Sequence, residues 1–264
     1  MTAPRRTGRA PWLLLVLGGV GLLFLALPIA GLLGRVPWSR LGEILASEVV
    51  VDALVLSIVS SVWATAIALV LGLPLAWLLA RAEFPGKPLV RGLVLLPLVL
   101  PPVVAGTALL FALGRRGLLG EPVADATGLV LPFSMGGVVL AATFVAMPFL
   151  VITVEGALRS MDPGHEAAAR SLGARPWTVL RRVTLPMIAP SIAAGLLLTW
   201  ARAFGEFGAT ITFAGNLQGR TQTLPLAVFV ALERDRDVAV AISLLMVVVS
   251  LGVLVALRDR WLRT

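Results

Sequence analysis

The sequence predicts an all-α membrane protein with six transmembrane helices. Of its 264 residues, 58% are hydrophobic and 14% are charged, whereas soluble domains carry about 25% charged residues. The mean hydropathy is correspondingly high, at +0.97. The apolar residues form six stretches long enough to cross the bilayer core of about 30 Å as helices. These observations exclude a water-soluble globule and a disordered chain, and the absence of cysteine excludes a disulfide scaffold.

The six stretches follow one another along the chain. The first has basic residues before it, but it is longer than the apolar part of a signal peptide, about 7–15 residues, and no A-x-A-like site follows it. We therefore expect a retained helix. Only the fifth stretch contains charged residues, Arg202 and Glu206. The predicted spans cover residues 12–33, 53–80, 93–113, 136–154, 191–213 and 238–257.

The basic residues place both chain ends in the cytoplasm. Of the 22 arginine and lysine residues, 14 lie on the side of the termini, seven lie in loops on the opposite side, and Arg202 lies inside a span. Cytoplasmic loops of membrane proteins carry such an excess of basic residues. Because the arginines flank apolar segments and form no single patch, the net charge of +8 indicates topology and not nucleic-acid binding.

The third predicted span contains a cluster of helix-breaking residues. Pro97, Pro101, Pro102 and Gly106 lie close together in it. Proline lacks a backbone N–H and clashes with the preceding turn, and non-helical backbone at membrane depth is tolerated only beside protein or a water-filled cavity. The cluster predicts a broken helix beside a pathway, and a simple kink is an equally weighted alternative.

Four polar residues repeat along the fifth predicted span. Thr199, Arg202, Glu206 and Thr210 are spaced by three, four and four residues, so on one continuous helix they share a face. A charge at the bilayer centre costs at least about 2.5–3.5 kcal/mol and therefore faces a bundle interior or a wet cavity. We interpret this face as the lining or gate of a pathway. The alternative is an Arg202–Glu206 ion pair that only fixes helix packing.

The segment 155–190, between the fourth and fifth spans, is too polar to cross the membrane and lies on the cytoplasmic side of the predicted topology. Asp162-Pro163 is typical of a helix start, and Gly173 stands where a glycine ends a helix. A second short helix is predicted over residues 177–183, ended by the Leu-Pro pair that follows. The two helices would form a compact knob, although composition alone favours an ordinary interfacial loop.

The sequence contains none of the common catalytic or nucleotide-binding motifs. It has no G-x-x-x-x-G-K-[ST], no G-x-S-x-G and no H-E-x-x-H. His165 is the only histidine and cysteine is absent, so no metal site is predicted. A membrane-embedded enzyme would have to use Arg202 and Glu206, the only charged residues inside a span. We therefore predict no catalytic residue, no metal and no cofactor in this chain.

The cytoplasmic segment resembles the EAA coupling motif of bacterial ATP-binding-cassette (ABC) importer permeases. In that motif Glu-Ala-Ala is followed after three residues by Gly and, nine residues later, by Ile-x-Leu-Pro. The spacing from Gly173 to the Leu-Pro pair fits, while Glu166 lies one residue ahead of the motif's Glu and Ala167 takes its place. The resemblance implies that the knob docks on a separate ATPase through Glu166, Ala167, Ala168, Ala169, Gly173, Val183, Leu185 and Pro186.

A second resemblance concerns the substrate. The segment Arg202-Ala-Phe-Gly-Glu-Phe-Gly-Ala-Thr-Ile-Thr-Phe-Ala-Gly-Asn216, followed by Gly219-Arg-Thr-Gln-Thr-Leu-Pro225, is similar to the molybdate permeases of these importers. The Leu-Pro-Pro run at residues 100–102 is similar to the third span of the same family. Sulfate and thiosulfate permeases share the Arg-x-x-Gly-Glu-Phe-Gly core.

The resemblances imply a fold, a function and partners. The fold would be a type I ABC importer permease, with one transmembrane domain over residues 1–264 that forms a homodimer in the bacterial plasma (inner) membrane. It would pass an oxyanion, molybdate or tungstate, powered by ATP on two cytoplasmic ATP-binding subunits and supplied by an extracytoplasmic oxyanion-binding protein. The alternatives are a sulfate or thiosulfate permease and an ATP-independent secondary transporter or channel, whose typical internal repeat is not evident here.

Overall fold

The computed structural model describes residues 12–258, with side chains as far as Val255, and this part of the chain contains helices, turns and loops but no strand. The all-α prediction is confirmed. Several basic residues that define the predicted topology, Arg5, Arg6, Arg9, Arg260 and Arg263, lie outside the described residues. In chain order the helices are α1 (Trp12–Leu33), α2 (Leu41–Leu45), α3 (Glu48–Arg81), α4 (Lys87–Val99), α5 (Pro102–Leu113), α6 (Gly120–Thr127), α7 (Met135–Ser160), α8 (Pro163–Ser171), α9 (Pro176–Val179), α10 (Leu185–Phe204), α11 (Gly208–Phe213), α12 (Leu224–Arg234) and α13 (Arg236–Arg258).

Five helical segments of the described chain are long and apolar enough to cross a membrane: α1, α3, α7, the segment Pro176–Phe204 and α13. The first predicted span coincides with α1. The second begins earlier than predicted, at Glu48, because acidic residues at a helix N-terminus are favoured by the helix dipole and need not lie in the apolar core. The third predicted span is divided into α4 and α5, as its cluster of prolines predicts.

The centre of the molecule is α7, which packs against α3 and α10. Small residues permit the close approach. A Cβ atom added to Gly72 of α3 would lie 3.3 Å from the Met147 side chain, and one added to Gly195 of α10 would lie 2.9 Å from that of Leu150. Membrane helices associate through such small residues because lipid offers no hydrophobic driving force between them. The packed interior therefore lies along α7.

Helix α1 lies apart from this interior. None of its side chains from Trp12 to Leu33 is buried. Within the described chain its neighbour is α13. Since nearly all of its residues are apolar, α1 offers its surface to lipid or to another chain.

The second helix of the predicted knob does not end where the sequence predicts. The chain stays helical from Pro176 to Phe204, with a π-helical turn at Leu180–Thr184 between α9 and α10. The Leu185 N–H bonds to the Leu180 carbonyl, five residues back, immediately before Pro186. Proline is tolerated in the first turn of a helix, because the N–H groups there have no intrahelical acceptor. The predicted stop at Leu185-Pro186 is therefore wrong, and the knob continues directly into a transmembrane helix.

Candidate functional site

Two helix breaks lie next to each other in the structure. One separates α4 from α5 at Leu100 and Pro101, and the other separates α10 from α11 at residues 205–207. A Cβ added to Gly208, the first residue of α11, would lie 2.5 Å from Cβ of Pro102, the first residue of α5. The two half-helices therefore begin side by side, although their starts are distant in sequence.

The break in the third span has a local cause. Leu100 and Pro101 have extended backbone, with ψ near 136° and 135°, and Pro102 starts α5 at a position that needs no N–H donor. The first bond of the new helix runs from the Ala105 N–H to the Pro101 carbonyl, at 3.1 Å. The predicted break is thus present. On the isolated chain Pro101 and Pro102 are exposed, and their place beside a pathway stays a prediction.

The half-helices α5 and α11 pack tightly beyond their starts. A Cβ on Gly106 would lie 2.7 Å from Cβ of Thr212 and 2.8 Å from the carbonyl oxygen of Ala209. Because the nearest atoms include backbone, no side-chain rotation can make room. Gly106 and Gly208 therefore set the distance between the two half-helices.

The polar repeat of the fifth span does not form the predicted single helical face. Helix α10 ends at Phe204, and Glu206 lies in the break, where its N–H bonds to the Ala203 carbonyl at 3.2 Å. The Glu206 carboxylate accepts a 2.7 Å hydrogen bond from the Ala209 N–H, in the first turn of α11. A carboxylate just before a helix accepts a hydrogen bond from one of the N–H groups that have no intrahelical acceptor. The Glu206 carboxylate therefore favours the start of α11 over a continuation of α10.

The predicted ion pair between Arg202 and Glu206 is present. An Arg202 guanidinium nitrogen, Nη1, lies 2.6 Å from Glu206 Oε2, without the alignment of a hydrogen bond. The Glu206 side chain is 2% exposed, while that of Arg202 is 28% exposed. The pair is therefore neutral overall, and its cation is the part that reaches the surface of the chain.

The remaining members of the repeat are interior. Thr199 and Thr210 are fully buried, and within the described chain neither hydroxyl has a hydrogen-bond partner. Buried polar atoms of this kind are uncommon in folded proteins. The structure thus brings Arg202 and Glu206 together near the paired breaks, and encloses the two threonines.

The first predicted helix of the knob is present as α8, with both of its predicted ends. The Asp162 side chain accepts a hydrogen bond from the Gly164 N–H at 2.8 Å, and Gly173 follows the helix with φ of 82°. The Gly173 N–H bonds to the Arg170 carbonyl and the Ala174 N–H to the Ala169 carbonyl, at 2.9 and 3.1 Å. This is the two-bond Schellman pattern, which needs a left-handed residue and therefore favours glycine.

The knob exposes four of its eight predicted coupling residues. Outside that set, Leu172 is 89% exposed and Trp177 is 69% exposed. Glu166 differs from all others on α8, because it is the only buried residue of that helix. Of the predicted set, Ala167, Ala168, Gly173 and Pro186 are exposed, and Ala169, Val183 and Leu185 are half-buried.

Two carboxylate clusters at the ends of the helices next to the knob escaped the sequence analysis. Glu166 contacts Arg81, Arg170 and Thr184. In a second cluster, buried Glu155 accepts a 2.9 Å hydrogen bond from Arg159 and pairs with Arg91. The spacing of four residues, from Glu155 to Arg159 and from Glu166 to Arg170, could have indicated one pair in each cluster. The contacts between distant segments left no local signal.

Other features of the described chain add no catalytic centre. Within residues 12–258 no three His, Cys, Asp or Glu side chains are grouped so that they could hold a metal ion. A cavity of about 440 Å³ near the loop after α11 is lined by polar and apolar groups, among them Asn216, Gln222 and Arg234. Gln222 donates a 2.9 Å hydrogen bond to Asn216 across it, so part of its polar lining is already paired.

Comparison with known proteins adds family relationships. Residues 68–264 match the model of the family described as binding-protein-dependent transport system inner membrane component. The chain is 46% identical over 240 residues to the molybdenum transport system permease protein ModB of Mycobacterium tuberculosis, covering 91% of this chain and 90% of that protein. It is 42% identical to ModB of Escherichia coli, covering 80% and 92%. The sulfate transport system permease protein CysT of Escherichia coli is 36% identical, covering 81% and 80%.

Solved structures share the fold. A bacterial alginate ABC transporter, solved in complex with an alginate pentasaccharide-bound periplasmic protein, has a chain that superposes with a TM-score of 0.75 at 20% identity, covering 92% of each chain. A chain of an amino acid ABC transporter superposes with a TM-score of 0.58 at 19% identity, covering 82% of this chain and 94% of its own.

Proposed function

We propose, from the premise that this chain belongs to the family of binding-protein-dependent transport system inner membrane components, that it is the permease subunit of an ATP-driven importer of molybdate. The observation that carries the proposal is its 46% identity to a molybdenum permease along nine-tenths of both chains. Tungstate, as the closest chemical analogue of molybdate, would share the pathway. The 36% identity to a sulfate permease makes sulfate or thiosulfate the second candidate cargo.

The proposal includes partners and a location. A solved relative of the same fold was captured with a periplasmic binding protein, which supports delivery of the oxyanion by such a protein. We propose that two copies of the chain form a homodimer in the bacterial plasma (inner) membrane, each as a single transmembrane domain. Two cytoplasmic ATPase subunits would dock on the knobs. Both termini would lie in the cytoplasm, as the excess of basic residues on their side predicts.

The paired helix breaks are the proposed gate. A bilayer blocks a dianion, so transport needs a wet path that opens on one side at a time. Arg202, the partly exposed half of the ion pair, would attract the oxyanion, and Glu206 would keep it from binding tightly. Conduction requires entry that is favourable but weak enough for release. Pro101, Pro102, Thr199 and Thr210 would move with this gate as the half-helices shift.

The function is tested by uptake into proteoliposomes that contain the permease with its ATPase, with the binding protein added outside. We expect ATP-dependent uptake of labelled molybdate that unlabelled tungstate suppresses and sulfate suppresses weakly. The control is the same complex with an ATPase subunit unable to hydrolyse ATP. Sulfate uptake that molybdate fails to suppress would favour the sulfate permease. Equal uptake with the inactive ATPase would favour a secondary transporter or channel.

A further inference from the structure

One carboxylate of the knob is buried against the ends of the membrane helices. Of the residues in α8, only Glu166 is buried. Its side chain is 9% exposed, whereas that of Arg170, one turn later, is 61% exposed. The helix therefore presents nearly its whole surface outward and turns this single acid toward the rest of the chain.

Glu166 makes three polar contacts, and two of them leave α8. The Thr184 hydroxyl donates a 2.8 Å hydrogen bond to Glu166 Oε1, and Arg81 donates one of 3.3 Å to the same oxygen. Arg170, on α8 itself, donates a 3.2 Å hydrogen bond to Oε2. Each carboxylate oxygen thus accepts at least one hydrogen bond from within the chain.

The two outside contacts are the ends of transmembrane helices. Arg81 is the last residue of α3, and Thr184 is the last residue of the π-turn from which α10 continues. Helices α3 and α10 both pack on α7, the central helix. Two charge-assisted hydrogen bonds, which are stronger than neutral ones, therefore connect α8 with helices that pack on the interior.

The end of α3 is also held on its other side. Arg159, near the end of α7, donates a 3.0 Å hydrogen bond to the Leu79 carbonyl, and the same arginine binds Glu155. Since Leu79 and Arg81 lie two residues apart, the last turn of α3 connects the knob with α7. The contacts form a continuous chain from Glu166 to the central helix.

We propose that Glu166 is the joint through which movement of the knob is transmitted to α3 and α10, and that it does so without contacting the ATPase. This inference rests on the proposed docking of the knob on an ATPase. The docking surface is then the exposed face that carries Ala167, Ala168 and Leu172, and Glu166 belongs to the linkage behind it.

The test separates docking from transmission. Glu166→Gln removes the charge that Arg81 and Arg170 contact, and Thr184→Val removes one hydroxyl at nearly constant shape. Thr184→Ser keeps the hydroxyl and is the matched control. Glu83→Gln is the charge control, because Glu83 is exposed and lies two residues after Arg81, at the end of α3. Its ionic partner is Lys87, whose hydrogen bond lowers the pKa of the Glu83 carboxyl. Each variant is assembled with the ATPase and measured for ATPase co-purification, ATP hydrolysis and molybdate uptake.

We expect Glu166→Gln and Thr184→Val to retain the ATPase and ATP hydrolysis while uptake per hydrolysed ATP falls at least about tenfold, the factor expected from losing one hydrogen bond to a charged group. Thr184→Ser and Glu83→Gln should behave as wild type. Loss of the ATPase from Glu166→Gln alone would make Glu166 a docking contact and overturn the inference, as would unchanged uptake in both test variants. If the wild-type chain itself fails to bind the ATPase, the proposed function fails instead.

Discussion

The contact between the two half-helices can be tested by adding one methyl group. Gly208→Ala places a Cβ 2.5 Å from Cβ of Pro102 and 3.4 Å from the Val103 nitrogen. Carbon atoms in contact normally lie about 3.5–4.0 Å apart, so the overlap is about 1 Å. The proline ring and the backbone cannot rotate away, and α5 and α11 must therefore separate. Overpacking of this kind costs about 1–3 kcal/mol.

The assay is thermal unfolding of the purified permease, followed by tryptophan fluorescence, together with uptake in proteoliposomes. For a chain of this size each kcal/mol lowers Tm by about 2–4 °C. The matched control is Gly205→Ala in the same break, because a Cβ there meets no atom closer than the Ala201 carbonyl oxygen at 3.6 Å. Gly205 has φ of −88°, which alanine adopts without strain, so this variant should be neutral or slightly more stable.

The two variants are therefore expected to differ in their effect on stability. We expect Gly208→Ala to lower Tm and to reduce uptake, and Gly205→Ala to preserve both. Equal stability of the two variants would refute the close crossing of α5 and α11. If Gly208→Ala lowers Tm but uptake stays normal, the close crossing of α5 and α11 is supported and its role as a gate is contradicted.

Three further predictions concern the knob, the ion pair and the topology. Gly173→Val should destabilise the knob by about 1–3 kcal/mol, because valine must adopt φ of 82° although no atom obstructs its Cβ. ATPase co-purification should then fall while membrane insertion persists. Normal co-purification would contradict the docking role. Glu206→Gln keeps an oxygen that accepts a hydrogen bond from the Ala209 N–H but removes the charge opposite Arg202. We therefore expect Tm to change little and ATP-coupled uptake to change. Wild-type uptake would mean that the ion pair serves only helix packing. A reporter active only in the cytoplasm should work at Pro163 and fail at Gln218, and activity at Gln218 would overturn the six-span topology.

The membrane class and both ends of α8 were predictable from the sequence, whereas the end of the second knob helix was not. Helix α1 spans the predicted residues, and Asp162 and Gly173 act at the ends of α8 as their residue types indicate. The break at Pro101 was predictable for the same reason, because a proline pair acts on its own turn. The second break was not, since the sequence around Glu206 is compatible with a continuous helix until its carboxylate finds the Ala209 N–H.

The sequence by itself determined the features that depend on apolar length, capping and backbone freedom, because these interactions act within a few residues. The tertiary structure alone decided that Glu166 turns inward and that the two helix breaks meet. Arg81 and Glu166 are 85 positions apart, and Thr184 lies 18 positions beyond Glu166, so no local pattern connects them. Arg81 and Thr184 contact Glu166 because α3 and α10 both pack on α7, which brings the ends of these two helices to the same carboxylate. A carboxylate can be buried there only because charged and polar partners surround it.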